Sequence, residues 1–160
     1  GVAGAPVRGP GEPPELGPVA GALDVDPSVI ESLLDSGFVP VIAPIAVGGD
    51  GVSLLNTNAD TAAGAIAVAM AVQHLIFLTD VDGILDSHGR LLRKVPLDMA
   101  EGLIGSSVVK GGMLPKLRAC LAAGRAGIDA HIGSGAQPGV LTSCLDGPAT
   151  GTAVRQRPAG

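Results

Sequence analysis

The sequence has almost no aromatic residues, because it contains no Trp, no Tyr and only two Phe. A core must therefore form from small and aliphatic side chains, which suits helices that lie close to a sheet. With 160 residues, the chain has the length of one ordinary domain and can bury such a core.

Basic clusters and long apolar runs are missing as well. The ten Lys and Arg form no run and the net charge is −5, so we expect no nucleic-acid partner. The longest apolar stretch, residues 59–78, is interrupted by Asp60, Gln73 and His74. We therefore expect no membrane span.

Residue patterns for several kinds of chemistry are absent. Cys120 and Cys144 are too few for a disulfide framework and lack metal-ligand spacing. Three scattered His predict no metal site.

Since no signal-like segment opens the chain, we expect a cytoplasmic protein. The common phosphate-loop, dinucleotide and serine-hydrolase motifs are missing too, which leaves phosphoryl transfer with another phosphate cradle as the best candidate.

Residues 1–22 are rich in Gly and Pro. This composition predicts a loop or linker, or a hairpin that belongs to a larger domain. Residues 23–160 are then the ordered part of the chain. There, apolar runs alternate with helical patterns, which predicts an α/β fold with a mainly parallel sheet.

The individual elements follow from hydrophobic periodicity. We predict that the first two core strands form a parallel βαβ unit and that the last strand lies at a sheet edge. The predicted strands are 40–47, buried on both faces, 75–79, 128–132 and 152–154, and the predicted helices are 27–36, 60–72, 97–104, 113–125 and a short one near Val140.

In open parallel sheets, ligands bind beyond the carboxyl ends of the strands. This rule places four segments at one rim: residues 48–60, 79–85, the turn before Met113, and 133–137. Three of them are rich in Gly, Asp or Asn, so we expect the functional site there.

Two charged residues are candidates for chemistry at this rim. Asp60 is either a helix cap or a carboxylate that positions a cation. Lys116 follows a Gly-Gly turn by one helical turn, an arrangement that suits phosphate oxygens; otherwise it is a solvated surface charge. The stretch 79–83 is either a turn with Asx hydrogen bonds or part of a nucleotide site.

Four stretches carry a family resemblance, in this order: Pro-Val-Ile-Ala-Pro-Ile at 40–45, Asn-Thr-Asn-Ala-Asp-Thr-Ala-Ala-Gly-Ala at 56–65, Leu-Thr-Asp-Val-Asp-Gly-Ile-Leu at 78–85, and Gly-Gly-Met-Leu-Pro-Lys at 111–116. Together they resemble the acetylglutamate kinases of the amino-acid kinase family, over residues 16–154. The resemblance implies a three-layer α/β/α sandwich that transfers the γ-phosphoryl group of ATP to the side-chain carboxylate of N-acetyl-L-glutamate, in arginine biosynthesis.

By the same resemblance, Asn56 holds the acylated amino acid, Asp60 organises the catalytic lysines and Lys116 stabilises the transferring phosphoryl group. Magnesium accompanies the nucleotide. The residues expected to line the ATP site are Asp80, Val81, Asp82, Gly83, Ile84, Leu85, Val108, Val109 and Lys110.

The family's N-terminal half supplies a Lys, glycine-rich loops and a substrate-binding Arg that this sequence lacks. The resemblance therefore implies that the chain needs that half, or a partner chain, for activity and exposes sheet edge and apolar surface. We also expect a homo-oligomer. Two alternatives stay open: a related kinase of carrier-bound aminoadipate in lysine biosynthesis, and a non-catalytic nucleotide-binding or regulatory fragment.

Overall fold

The computed structural model describes residues 2–7, 19–106, 108–146 and 150–156. The chain divides into two compact units, residues 1–70 and 71–160. Each unit has its own sheet, and each is described by itself.

The first unit contains a closed ring of four strands in the order β1-β2-β4-β3. Neighbours β1–β2 and β3–β4 are antiparallel, whereas β1–β3 and β2–β4 are parallel. Ala46 and Leu55 form a small core with Leu23 packed against it. The strands are β1 (Val2–Val7), β2 (Val19–Val25), β3 (Ile45–Gly48) and β4 (Leu54–Asn56).

The Gly- and Pro-rich opening includes paired strand. The segment predicted as a loop or linker, or as a hairpin, contains β1 and the start of β2, which pair as antiparallel strands. This pairing fits the hairpin alternative. Residues 8–18 lie outside the described part, and a domain boundary after residue 22 stays a prediction.

Local sequence signals set the two helices of the first unit. Helix α1 (Ser28–Asp35) begins where the Asp26 carboxylate accepts a hydrogen bond from the Ser28 N–H, at 3.0 Å. Gly37 follows its end with φ +80°, a conformation that favours glycine. Helix α2 (Ala59–Ala69) begins after Asn58, whose side chain accepts from the Thr61 N–H.

The strand predicted over residues 40–47 is shorter and less buried than expected. Pro40 and Pro44 have no N–H for a ladder, so pairing begins only at Ile45. Within β3 the burial alternates, and Ile45 is 53% exposed. The prediction of a strand buried on both faces is therefore wrong.

The second unit is a four-stranded sheet in the order β5-β7-β8-β6, with three helices. Pairs β5–β7 and β6–β8 are parallel, and β7–β8 is antiparallel. Helix α4 packs against β7 and β8 through small and aliphatic residues. The elements are β5 (His74–Thr79), β6 (Lys94–Pro96), β7 (Asp129–Ser134), β8 (Thr152–Arg155), α3 (Leu97–Gly105), α4 (Met113–Arg125) and α5 (Val140–Asp146).

Strand partners differ from two predictions. Strand β3 pairs with β1 and β4, whereas β5 pairs with β7, so the βαβ unit predicted for the first two core strands is wrong. Strand β8 is not at an edge, because β6, which the sequence analysis missed, pairs with its outer side. Periodicity identifies a strand but not its neighbours.

None of the helices in the described residues combines the length and apolarity that a membrane span requires.

Candidate functional site

The carboxyl ends of β5 and β7 lie side by side in the second unit. The two strands are in parallel register up to Thr79 opposite Ser134. Beyond this point the Gly135 N–H donates to the Thr79 carbonyl at 2.8 Å, and Gln137 Nε2 lies 3.5 Å from Asp82 Oδ1. The structure therefore brings together two of the predicted rim segments, 79–85 and 133–137.

The segment 80–85 has an exposed part and a buried part. Asp80, Val81 and Asp82 are exposed, and Asp80 accepts a hydrogen bond from the Thr79 hydroxyl at 3.0 Å. Gly83 and Ile84 are buried. Leu85 is exposed again. The exposed side chains are accessible from solvent, while the buried Ile84 is hydrogen-bonded to Thr152 of the sheet.

A tight hairpin follows this segment. Leu85 and Leu91 form an isolated antiparallel bridge. Between them, the Asp86 carboxylate accepts hydrogen bonds from the backbone N–H groups of His88 and Arg90 and from Arg90 Nε, all within 2.9 Å. The Arg90 N–H is the main reason why the pKa of Asp86 is lowered. The hairpin is thus fixed by local hydrogen bonds next to the rim.

The second predicted nucleotide segment, 108–110, leads to α4. Val109 is buried, whereas Val108 and Lys110 are exposed. Gly111 has φ +56°, and a Cβ added to Gly111 or Gly112 would meet no described atom within 4 Å. The backbone before α4 is therefore open to a close approach by another group.

Lys116 is the fourth residue of α4 and is partly buried. Its neighbour Leu117 is fully buried, which fixes the helix against the sheet. Pro115 lies in the first turn, where its missing N–H costs no helical hydrogen bond. An ammonium one turn from a helix start suits an anionic group.

Asn56 and Asp60 lie in the first unit, on either side of the start of α2. Asn56 is exposed at the end of β4, and Asp60 is partly buried in the first turn of α2. The N-cap is Asn58, so the alternative reading of Asp60 as the cap is wrong. Lys116 belongs to the second unit. That the Asp60 carboxylate and the Lys116 ammonium meet at one phosphate-binding spot, as we expect for residues of one catalytic rim, stays a prediction.

One residue at the rim was missed by the sequence analysis. The Thr152 hydroxyl accepts a buried hydrogen bond from the Ile84 N–H at 2.9 Å. No local pattern marks this contact, because the two residues are 68 positions apart. The only available signal was the pair Gly151-Thr152 at the start of a strand.

The His residues of the sheet lie away from the rim. His74 begins β5 and His131 is buried in β7, with ring centroids 6.1 Å apart. Burial lowers the pKa of His131. In the described residues, no group of three or more His, Cys, Asp or Glu could hold a metal ion.

Comparison with known proteins identifies relatives along most of the chain. Residues 10–134 match the profile of the amino acid kinase family. The acetylglutamate kinase of Methanoculleus marisnigri is 45% identical over 123 residues, which are 76% of this chain and 42% of that protein. That of Rubrobacter xylanophilus is 43% identical over 143 residues, which are 89% of this chain and 55% of that protein. The chain thus spans about half the length of these curated relatives.

A solved structure has the same fold. The crystal structure of smu.665 from Streptococcus mutans superimposes with a TM-score of 0.70 over 83% of this chain and 49% of that one, at 30% identity. Together with the family match, this likeness confirms the predicted α/β fold of the amino-acid kinase type, an α/β/α sandwich with mainly parallel pairing.

Proposed function

This chain belongs to the amino acid kinase family, and on that premise we propose that it provides the nucleotide-binding part of an acetylglutamate kinase. The reaction is the transfer of the γ-phosphoryl group of ATP to the side-chain carboxylate of N-acetyl-L-glutamate, in arginine biosynthesis. The names of relatives at 42–46% identity support this choice of acceptor.

The observation that carries the proposal is the rim of the second unit. Exposed Asp80 and Asp82 lie beyond the end of β5, and Gln137, in the loop after β7, lies 3.5 Å from Asp82 Oδ1. Carboxylates at such an edge can accept hydrogen bonds from ribose hydroxyls, and open backbone can approach phosphates. The space at Gly111 and Gly112 fits this use.

The nucleotide site then consists of the two segments 80–85 and 108–110. Within them, exposed Asp80, Val81, Asp82, Val108 and Lys110 make the contacts, while buried Gly83, Ile84 and Val109 shape the backbone. ATP with Mg²⁺ supplies the phosphoryl group and neutralises part of its charge. We propose that the phosphates carry the ion, since Mg²⁺ at such sites is bound mainly by substrate phosphates and water.

Three residues have proposed roles in the transfer. Lys116 stabilises negative charge on the phosphoryl group, because an ammonium near a helix start favours anions. Asp60 orients cationic groups, and Asn56 holds the acylated amino acid. These roles rest on position within the family's motifs. Asn56 is exposed at the end of β4, whereas Asp60 in the first turn of α2 and Lys116 in α4 are partly buried.

Activity needs more than this chain in our proposal. The curated relatives are about twice as long, and we propose that additional sequence, covalently attached or in a partner chain, completes the acceptor site in a cytoplasmic homo-oligomer. Phosphorylation of carrier-bound aminoadipate is the competing acceptor, and a non-catalytic nucleotide-binding role is the competing function.

Calorimetry with ATP and Mg²⁺ tests the proposal. We expect the chain alone to bind the nucleotide, and turnover of N-acetylglutamate to appear when the N-terminal half of the M. marisnigri relative is supplied. Absence of nucleotide binding in both samples would contradict the proposal. Binding without restored turnover would favour the non-catalytic role, and turnover only with carrier-bound aminoadipate would identify the other acceptor.

Substitutions in α4 test the role of Lys116. In the reconstituted enzyme, Lys116→Ala should raise the barrier by about 2–4 kcal/mol, seen mainly in kcat. Arg118→Ala removes an exposed charge from the same helix and should leave kcat near that of the wild type. An effect of Lys116→Ala on the KM for ATP alone would refute the charge-stabilising role. Asn56→Ala should instead raise the KM for the acylated amino acid.

A further inference from the structure

The buried part of segment 80–85 is hydrogen-bonded to strand β8. The Ile84 N–H donates to Thr152 Oγ1 at 2.9 Å, in a site where Ile84 is 1% and Thr152 0% exposed. If the Thr152 hydroxyl were removed, water could not replace it as the acceptor, because the site is buried. The Ile84 N–H would then be a buried unsatisfied donor unless the segment moved.

Two glycines make this contact possible. Gly83 has φ +152°, and a Cβ there would lie 2.6 Å from Thr152 Oγ1 and 2.9 Å from Leu91 Cδ1. Gly151 has φ +106°, and a Cβ there would lie 3.2 Å from the Asp82 carbonyl oxygen and closer still to the Ile132 carbonyl oxygen. At Gly83 the neighbouring atoms are mainly side-chain atoms and at Gly151 they are backbone atoms, and both positions are too close to them for a side chain.

The same contacts fix the position of segment 80–85 relative to the strands of the sheet. Thr152 begins β8, which pairs with β7, and β7 pairs with β5. The hydroxyl therefore ties the segment after β5 to a strand two positions away in the sheet. On the exposed side, Gln137 Nε2 lies 3.5 Å from Asp82 Oδ1. The segment is held at its buried end by Thr152 and approached at its exposed end by Gln137.

We infer that Thr152 is a positioning residue for nucleotide binding. Its hydroxyl holds the Asp82–Ile84 backbone at the level where Asp80 and Asp82 face a bound nucleotide, and it touches no substrate itself. The inference rests on the proposed function. It adds a requirement for a hydroxyl at residue 152, which neither the resemblance nor the local sequence assigns.

The test compares a variant that keeps the shape of residue 152 but loses its hydroxyl with a variant that keeps the hydroxyl. Thr152→Val has nearly the same volume but no acceptor, whereas Thr152→Ser keeps the hydroxyl. For ATP with Mg²⁺, we expect Thr152→Val to raise the Kd about tenfold, the ratio that corresponds to one typical net hydrogen bond. Thr152→Ser should stay within about twofold of the wild type.

A matched control separates this effect from loss of a buried hydroxyl in general. Thr57 is also buried, and its Oγ1 has no hydrogen-bond partner among the described residues. Thr57→Val should leave the Kd for ATP unchanged. Hydrogen exchange of the Ile84 amide gives an independent readout, which should become faster in Thr152→Val and remain slow in Thr152→Ser and Thr57→Val.

Each outcome decides a different statement. If the wild type binds ATP and Thr152→Val binds it equally well, the positioning role is overturned and the proposed function stands. If the wild type does not bind ATP, either alone or with the N-terminal half of the relative supplied, the proposed function fails and this role fails with it. Should Thr152→Val not fold, Thr152→Cys replaces it, because a thiol is a weaker acceptor, and an unchanged Kd there overturns the inference.

Discussion

At the scale of residues, one carboxylate shows how a loop is fixed by local hydrogen bonds. Asp50 Oδ1 accepts from the backbone N–H groups of Val52 and Ser53 at 3.0 and 2.9 Å, and its Oδ2 accepts from the Ser53 hydroxyl. The hydroxyl hydrogen bond is the largest cause that lowers the pKa of Asp50 to about 2. The loop between β3 and β4, part of the predicted rim segment 48–60, is therefore organised around this side chain.

We predict that Ser53→Ala raises the pKa of Asp50. An unfolded chain has the ordinary value of 3.8. Because the folded pKa is lower, the carboxylate stabilises the loop above pH 3.8, and this contribution is lost as the pH falls through about 2. A ¹³C NMR titration of the Asp50 carboxyl measures the shift.

The control for this titration is Ser36→Ala, which removes a hydroxyl that donates to the Ser32 carbonyl oxygen rather than to a carboxylate. It should leave the pKa of Asp50 at about 2. A pKa that also stays at about 2 in Ser53→Ala would show that the backbone N–H groups alone set it.

At the scale of elements, the helices differ in how much they contribute to a core. Helix α4 packs against the sheet and α3 and buries six of its thirteen residues, among them Leu117, which is 0% exposed. Helix α1, over the described residues Ser28–Asp35, buries none. Both helices are readable from their sequences, but only packing shows which of them holds its unit together.

The same substitution in the two helices tests this difference. Leu117→Ala should lower the free energy of unfolding of the second unit by about 2–5 kcal/mol, through lost burial and the cavity that remains. Leu34→Ala, at a position that is 47% exposed, should cost less than about 1 kcal/mol. Thermal and urea unfolding followed by circular dichroism measures both, and equal losses would contradict the assigned packing.

At the scale of the whole molecule, much apolar surface of the first unit remains exposed. The resemblance led us to expect exposed apolar surface. Most of the large exposed apolar side chains of the first unit fall between residues 29 and 54, and Val68 is a further one. Those between residues 29 and 54 are Val29, Leu33, Leu34, Phe38, Val39, Val41, Ile42, Ile45, Val47, Val52 and Leu54. So many exposed apolar side chains in one part of the sequence lead us to expect a surface there that binds another protein segment.

We therefore expect this chain to associate with itself at high concentration. Val41 is 98% exposed, so Val41→Asp should reduce association while changing the free energy of unfolding by no more than about 0.5 kcal/mol. Sedimentation velocity over a range of concentrations measures the effect. Leu141→Asp, at an exposed apolar position in α5, is the control and should leave association unchanged. If Val41→Asp and Leu141→Asp reduce association equally, residues 29–54 are not the surface through which the chain associates.

Much of the local structure was predictable because its causes are local. Helices α3 and α4 begin at the predicted Leu97 and Met113, and the predicted 128–132 strand is β7 with a shift of one or two residues. The rim segments 79–85 and 133–137 followed from the rule for parallel strands and do meet. Hydrophobic period, glycine and proline act over a few residues, so the sequence displays them directly.

The sequence by itself determined the family, the α/β class, the places where helices begin and the candidates Asn56, Asp60 and Lys116. Only the tertiary structure decided that β5 pairs with β7, that β8 lies inside its sheet, that Asn58 rather than Asp60 caps α2, and that Thr152 supports Ile84. Strand pairing and the Thr152 contact join residues far apart in the chain, and no local pattern records which distant backbone group will supply a hydrogen bond.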